Sequence, residues 1–296
     1  MTGTARYRAS TPPRTASTLG FRGQRIFCAS QDAEPQCIPV NTWVRPLAVE
    51  NALVRLFAPL PEPAPAEVEL TGERRHYLLH VLRLEEGDAL EVFDGQGRAF
   101  EARVAHVAPE SVRLTLGTAR VAPPRREVSI LQGLPKGDKL ELVLQKGTEL
   151  GATAFHPVAT ARSVVKLEPR RAEERTTRWT KIVEEAARQC RRNDVPRVAT
   201  PAPLVDAARS LPAGTVLLVL DEEESAVPLG EAFRAAGAGT AVALVIGPEG
   251  GLAREEVDAL KGLGARPVTL GKRILRTETA ALAALAVMMH LDGELG

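Results

Sequence analysis

The sequence predicts an α/β protein with a buried parallel sheet, preceded by a small, mostly β unit. Three observations carry this. First, TVLLVLD, AVALVIG and RPVTLG, over 215–221, 241–247 and 266–271, are short, continuously apolar runs. Second, helical patterns separate them; apolar runs spaced by helices belong to strands covered on both faces. Third, LEVF and AFEARVAHV flank the turn-forming DGQG at 94–97, which reads as a hairpin.

The composition fits a globular chain of one large or two ordinary domains. It has 296 residues, 44% hydrophobic and 25% charged. Aromatics are 4%, which argues against extensive base stacking on exposed rings. No run reaches the roughly 18 apolar residues of a membrane helix. Cys28, Cys37 and Cys190 form no CxxC pair, which fits a reducing compartment. His76 and His80 stand four apart on a predicted helix, but no third ligand follows, so no metal site is expected.

Residues 1–53 differ from the rest. Residues 1–31 carry five Arg and no Lys, Asp or Glu, with weak periodicity, so an unstructured extension is expected. The composition fits an organelle transit peptide or a start assigned too far upstream; the acids Asp32 and Glu34 favour the latter. Order begins near Val54. GERRHYLLHVL reads as a short helix and EVF, AFEARVAHV and SVRLTLG as strands, a unit over 54–122. Pro123 and Pro124 mark a linker. From Arg125 the rhythm alternates: VSILQGL a strand, KGDKLELVLQKGTELG a helix with a Gly stop, TAFHPVAT a strand, and 171–193 a long basic helix. Arg125 to Arg197 holds 16 Lys and Arg against 10 Asp and Glu, which suits a polyanion or a solvated helix face. The last helix, ETAALAALAVMMHL, is nearly uncharged, so it is expected to be buried or at a subunit interface.

Parallel sheets bind ligands at the carboxyl ends of their strands. Two loops qualify there: Gly247 to Gly251, and Gly271 to Thr279, GKRILRTET. Glycines let a ligand approach the backbone, and a following helix N-terminus offers free N–H donors. GPEGG is neither a dinucleotide fingerprint nor a P-loop, and a plain turn explains it equally well. In the second loop Thr277 and Glu278 suit a helix cap. Yet Lys272, Arg273 and Arg276 would repel one another there without an anion.

LVIGPEGGL followed by LGKRILRTETAAL resembles the RsmE-type methyltransferases, which methylate N3 of a uridine in 16S ribosomal RNA. The resemblance spans nearly all of 54–296 and includes RLF, HYLLHVLRLEEGD, EVFDG, QKGTELG and QCRRNDVP. In QCRRNDVP the family usually has Gly at the position of Arg191 and often a basic residue at that of Asp194. The resemblance implies a PUA-like RNA-binding β-barrel over 54–122 and a SPOUT-type methyltransferase domain with a trefoil knot over 125–296. It also implies a homodimer, an S-adenosylmethionine cofactor, small-subunit rRNA as partner, and a cytoplasmic site of action, or an organelle if the extension is a transit peptide.

The cofactor bed is then expected to include Leu220 after the first run. Ile246, Gly247, Pro248, Glu249, Gly250 and Gly251 follow from the second loop. Leu270, Gly271, Ile274, Leu275, Arg276, Thr277 and Thr279 follow from the third. A side chain at Gly250 is expected to block it. Methylating N3 requires loss of its proton, stabilisation of the resulting charge, and alignment of the methyl group. Arg276 is expected to stabilise the charge, and Glu278 to accept the proton or orient Arg276. Arg55, Arg83, Lys146, Arg162, Lys166 and Arg192 are candidate phosphate contacts. Two rivals remain: another SPOUT enzyme acting on ribose or tRNA, and a non-catalytic RNA binder.

Overall fold

The computed structural model describes residues 54–163 and 168–296, so the N-terminal extension and Lys166 lie outside the described residues. The strands up to residue 121 form one five-stranded sheet. They are β1 (Val54–Phe57), β2 (Glu67–Thr71), β3 (Ala89–Phe93), β4 (Arg98–Val107) and β5 (Ser111–Val121), in the order β1-β3-β4-β5-β2. Only β1 and β3 pair in parallel. A helical turn, α1 (Gly72–His76), continues as a π-type turn over Tyr77–Val81. The DGQG hairpin closes because Asp94 accepts the Gln96 and Arg98 backbone N–H groups at 2.7 and 3.1 Å. Gly95 and Gly97 take positive φ there. Leu78, Leu90, Val92, Val112 and Leu114 fill this core.

The second sheet has seven strands, all paired in parallel. They are β6 (Val128–Gly133), β7 (Ala154–Ala159), β8 (Arg197–Val198), β9 (Ala202–Pro203), β10 (Val216–Leu220), β11 (Val242–Ile246) and β12 (Arg266–Val268). The order is β12-β10-β11-β6-β7-β8, with β9 also on β7. The apolar runs are continuous because both faces are covered. In β11, Val242, Leu244 and Ile246 enter one core, and Ala243 and Val245 the other. The first core receives α2 (Lys139–Leu150), α3 (Pro169–Gln189), α5 (Leu229–Ala235) and α7 (Thr277–Leu291); the second receives α4 (Leu204–Arg209) and α6 (Arg254–Gly262). Leu244 is fully buried, and Leu244→Ala is expected to cost about 2–5 kcal/mol. The Gly stop of α2 is Gly151 at φ 114°, a left-handed C-cap.

The two sheets meet at the hairpin. The Val195 N–H donates to the Gly95 carbonyl at 3.0 Å, and the Gly97 N–H to the Asn193 carbonyl at 3.2 Å. Arg191 stands at φ 65°, the left-handed region that favours glycine. Asp194 takes ion pairs from Arg125 and Arg192. Asp194 therefore serves as an internal anchor for two arginines.

Candidate functional site

The strand order sets the loops after β10, β11 and β12 side by side. Together they enclose a cavity of about 1100 Å³. Its apolar lining includes Leu220, Ile246, Val268, Leu270 and Leu275. Its charged lining includes Lys139, Asp221, Glu222, Glu249, Arg273 and Arg276. Mixed polarity of this kind suits a ligand with an apolar ring and charged ends.

Two loop glycines and one at a strand end are dictated by close packing or by backbone conformation. A Cβ on Gly247 would stand 2.7 Å from the Gly251 carbonyl carbon. One on Gly251, at φ 69°, would stand 2.6 Å from the Glu222 carboxylate. On Gly133, at the end of β6, it would stand 2.6 Å from the Pro248 ring. Gly250 differs from the expectation. Its Cβ would stand 3.3 Å from the Arg162 Cβ, a tight contact but not a clash, and it does not line the cavity.

Beneath the loops lies a buried polar clasp. The Thr277 hydroxyl donates to the Gly247 carbonyl at 2.6 Å and accepts from the Gln132 amide at 2.8 Å. Thr277 was expected to cap the last helix. Arg276 occupies the cap position instead, and Thr277 is the first helical residue, its hydroxyl spent on the neighbouring loop. Gln132 was not foreseen; in the sequence it is one polar residue inside the apolar run VSILQGL, which was the available signal.

Asp221, after β10, accepts two bonds from Arg254, at 2.9 and 2.7 Å. Burial pushes its carboxyl up, but the Arg254 bonds and the Glu223 backbone N–H outweigh it and hold the pKa below the usual value. Burial likewise opposes the Glu249 carboxylate, and the Lys139 ammonium with nearby backbone N–H groups again wins, lowering it.

The expected site residues divide. Leu220, Ile246, Gly247, Pro248, Glu249, Gly251, Leu270, Gly271, Ile274, Leu275, Arg276 and Thr277 all line the cavity. Thr279 is exposed and Glu278 is buried, and neither lines it. Among the expected phosphate contacts, Arg83 and Arg162 are exposed and Lys146 is half-buried, paired with Glu149. Arg55 and Arg192 are turned inward. Arg55 is 6% exposed, bonded to Glu91 at 2.5 Å and to Asn193 at 2.6 Å, above the Phe93 ring. Arg192 bonds the Thr148 carbonyl at 2.7 Å and Asp194 at 2.6 Å. The Arg55 guanidinium joins the first sheet to the segment after α3, and that of Arg192 ties the end of α2 to Asp194, so both are committed to internal partners.

A family model described as the RNA methyltransferase domain matches residues 122–289, and one described as the RNA methyltransferase PUA domain matches 70–117. Ribosomal RNA small subunit methyltransferase E of Bacillus subtilis (strain 168) is 40% identical over 237 residues, covering 77% of this chain and 91% of its own. The chain belongs to the methyltransferase E family. The methyltransferase E of Mycobacterium tuberculosis is 36% identical over 222 residues, covering 73% of this chain and 84% of its own. A crystal structure of methyltransferase E from Neisseria gonorrhoeae, bound to S-adenosyl methionine, is 33% identical with a TM-score of 0.71; the match covers 81% of this chain and 98% of that one. The fold is that of an RNA methyltransferase E with a PUA domain.

Proposed function

We propose that this protein is an S-adenosylmethionine-dependent methyltransferase acting on N3 of a uridine in small-subunit (16S) ribosomal RNA. The observation that carries the reading is the cavity formed by the three loops of a methyltransferase E relative. Its residues fit the cofactor. Gly247, Gly251 and Gly271 line the cavity without side chains, so the loops offer main chain to a ligand. Leu220, Ile246, Leu270 and Leu275 would hold the apolar part, and the surrounding acids suit a cation. When bound, the cofactor supplies an electrophilic methyl group on a positively charged sulfur.

The chain supplies position and charge. Arg276 is exposed and lines the cavity, so its guanidinium can meet the negative charge that builds on the uracil carbonyls as N3 loses its proton. One such donor contributes about 2.7–4 kcal/mol to catalysis. Glu278 is buried and away from the cavity lining, which favours orienting Arg276 over receiving the N3 proton. Arg83, Arg162 and Lys146 remain available to phosphates, and Lys166 stays a candidate by its place in the sequence.

The same reading includes a homodimer in the cytoplasm. The nearly uncharged α7, with Val287 39% exposed, and the fully presented Ile274 support a second copy as its cover. Sedimentation checks this; a monomer at micromolar concentration contradicts it. Among the described residues no helix is long and apolar enough to cross a membrane.

The decisive test is base-resolved mass spectrometry of small-subunit RNA after incubation with the protein and the methyl donor. Methylation of a uridine at N3 is expected. Unmodified RNA, or a methyl group on ribose, overturns the reading.

A further inference from the structure

The loops after β11 and β12 each carry or lead to an acid, and one cation stands between them. Lys139 is the first residue of α2, where the positive end of the helix disfavours a cation. It is half-buried and lines the cavity. Its ammonium donates to Glu249 at 2.7 Å, and the Lys136 backbone N–H donates to the same carboxylate at 3.1 Å. On the other side, the ammonium stands 3.9 Å from Oε2 of Glu278. That oxygen is buried and has no hydrogen-bond partner. A buried carboxylate oxygen without a donor is costly, so this short gap is a contact poised to close.

We infer that Lys139 is a positioning residue for methyl transfer: it cross-links the GPEGG loop, through Glu249, to the start of α7, through Glu278, and so fixes where Arg276 stands. The inference rests on the function proposed above. Arg276 caps α7 two residues before Glu278, so a displacement of Glu278 displaces Arg276 with it. The clasp from Gln132 through Thr277 to Gly247 holds the same two loops from beneath, and Lys139 holds them at the cavity edge. Lys139 has no direct share in bond making here. Its effect passes through Glu249 and Glu278, the two acids that flank it, with Lys136 contributing only its backbone.

The test compares full-length wild type, Lys139→Met and Lys139→Arg. Methionine keeps the length and removes the charge; arginine restores the charge and can span both acids. Thermal unfolding and S-adenosylmethionine calorimetry establish that each variant is folded and loaded. Lys139→Met is expected to lower kcat by about tenfold or more, with KM for RNA little changed. Lys139→Arg is expected to restore most of the rate. A second readout needs no turnover. The Glu249 carboxyl, followed by carbon NMR in the ligand-free protein, is expected to titrate at higher pH in Lys139→Met and to return toward wild type in Lys139→Arg. The titration shows that the Lys139–Glu249 contact forms in solution; a kcat loss in a folded, loaded variant with KM unmoved, rescued by arginine, is the pattern a merely structural lysine would not give. Wild-type kcat in Lys139→Met, or an arginine variant no better than the methionine one, overturns the inference. If wild type itself transfers no methyl group to RNA, the proposed function fails first, and this inference with it.

Discussion

The hydroxyl of Thr277 lies 2.6 Å from the carbonyl oxygen of Gly247, so two loops thirty residues apart in sequence are joined by one buried bond. Thr277→Val removes the donor to the Gly247 carbonyl and one acceptor of the Gln132 amide, which keeps only the Gly133 carbonyl at 3.1 Å and a long contact to Gly247. A loss of about 1–3 kcal/mol is expected in urea unfolding, together with weaker S-adenosylmethionine binding. Thr277→Ser should retain most of both. A valine variant as stable as wild type would remove the clasp from the explanation.

Gly247 and Gly250 are separated by their surroundings. Gly247→Ala pushes a Cβ against the Gly251 backbone, which cannot yield without opening the loop. A stability loss of about 1–3 kcal/mol and a marked fall in donor affinity are expected. Gly250→Ala meets only the Arg162 side chain and should remain near wild type in calorimetry. Equal behaviour of the two variants would show that close packing does not shape the bed.

The contrast shows what was legible in the sequence. Apolar runs such as VLLVL and VALVI announced the parallel strands, because burial on both faces leaves no room for polar alternation. The glycine and arginine loops, legible at strand ends, are the ones that line the cavity. The side-chain partners stayed hidden, because nothing in local pattern states which loop lies beside which. Gln132, Lys139 and Arg254 therefore emerged only from the fold. Arg55 and Arg192 were read as surface cations, yet Glu91 and Asp194 draw them inward, and pairing across distant segments leaves no periodic trace. The two-residue strands β8 and β9 are too short to show a pattern.

Arg276→Ala should leave the unfolding transition unchanged, because the side chain is exposed, and reduce kcat by about 10²–10³-fold. Single-turnover methylation separates this from a binding defect. Turnover at the wild-type rate would remove Arg276 from the chemistry.

The Asp221–Arg254 pair sets a pH signature. The folded carboxyl of Asp221 titrates below its unfolded value, so its contribution is present above the unfolded pKa of about 3.9 and disappears as pH falls through the folded one. Arg254→Met should therefore be less stable than wild type at neutral pH, and the gap should close in acid, below about pH 4. A gap that is constant down to strongly acid pH would show that the pair is not its source.

Isothermal titration of S-adenosylmethionine into the purified protein asks whether the three loops form one bed for a methyl donor. Saturable binding is expected, with one donor per chain, markedly weakened in Gly247→Ala. Heats no larger than dilution in the wild type, under conditions where its unfolding transition is intact, would contradict it.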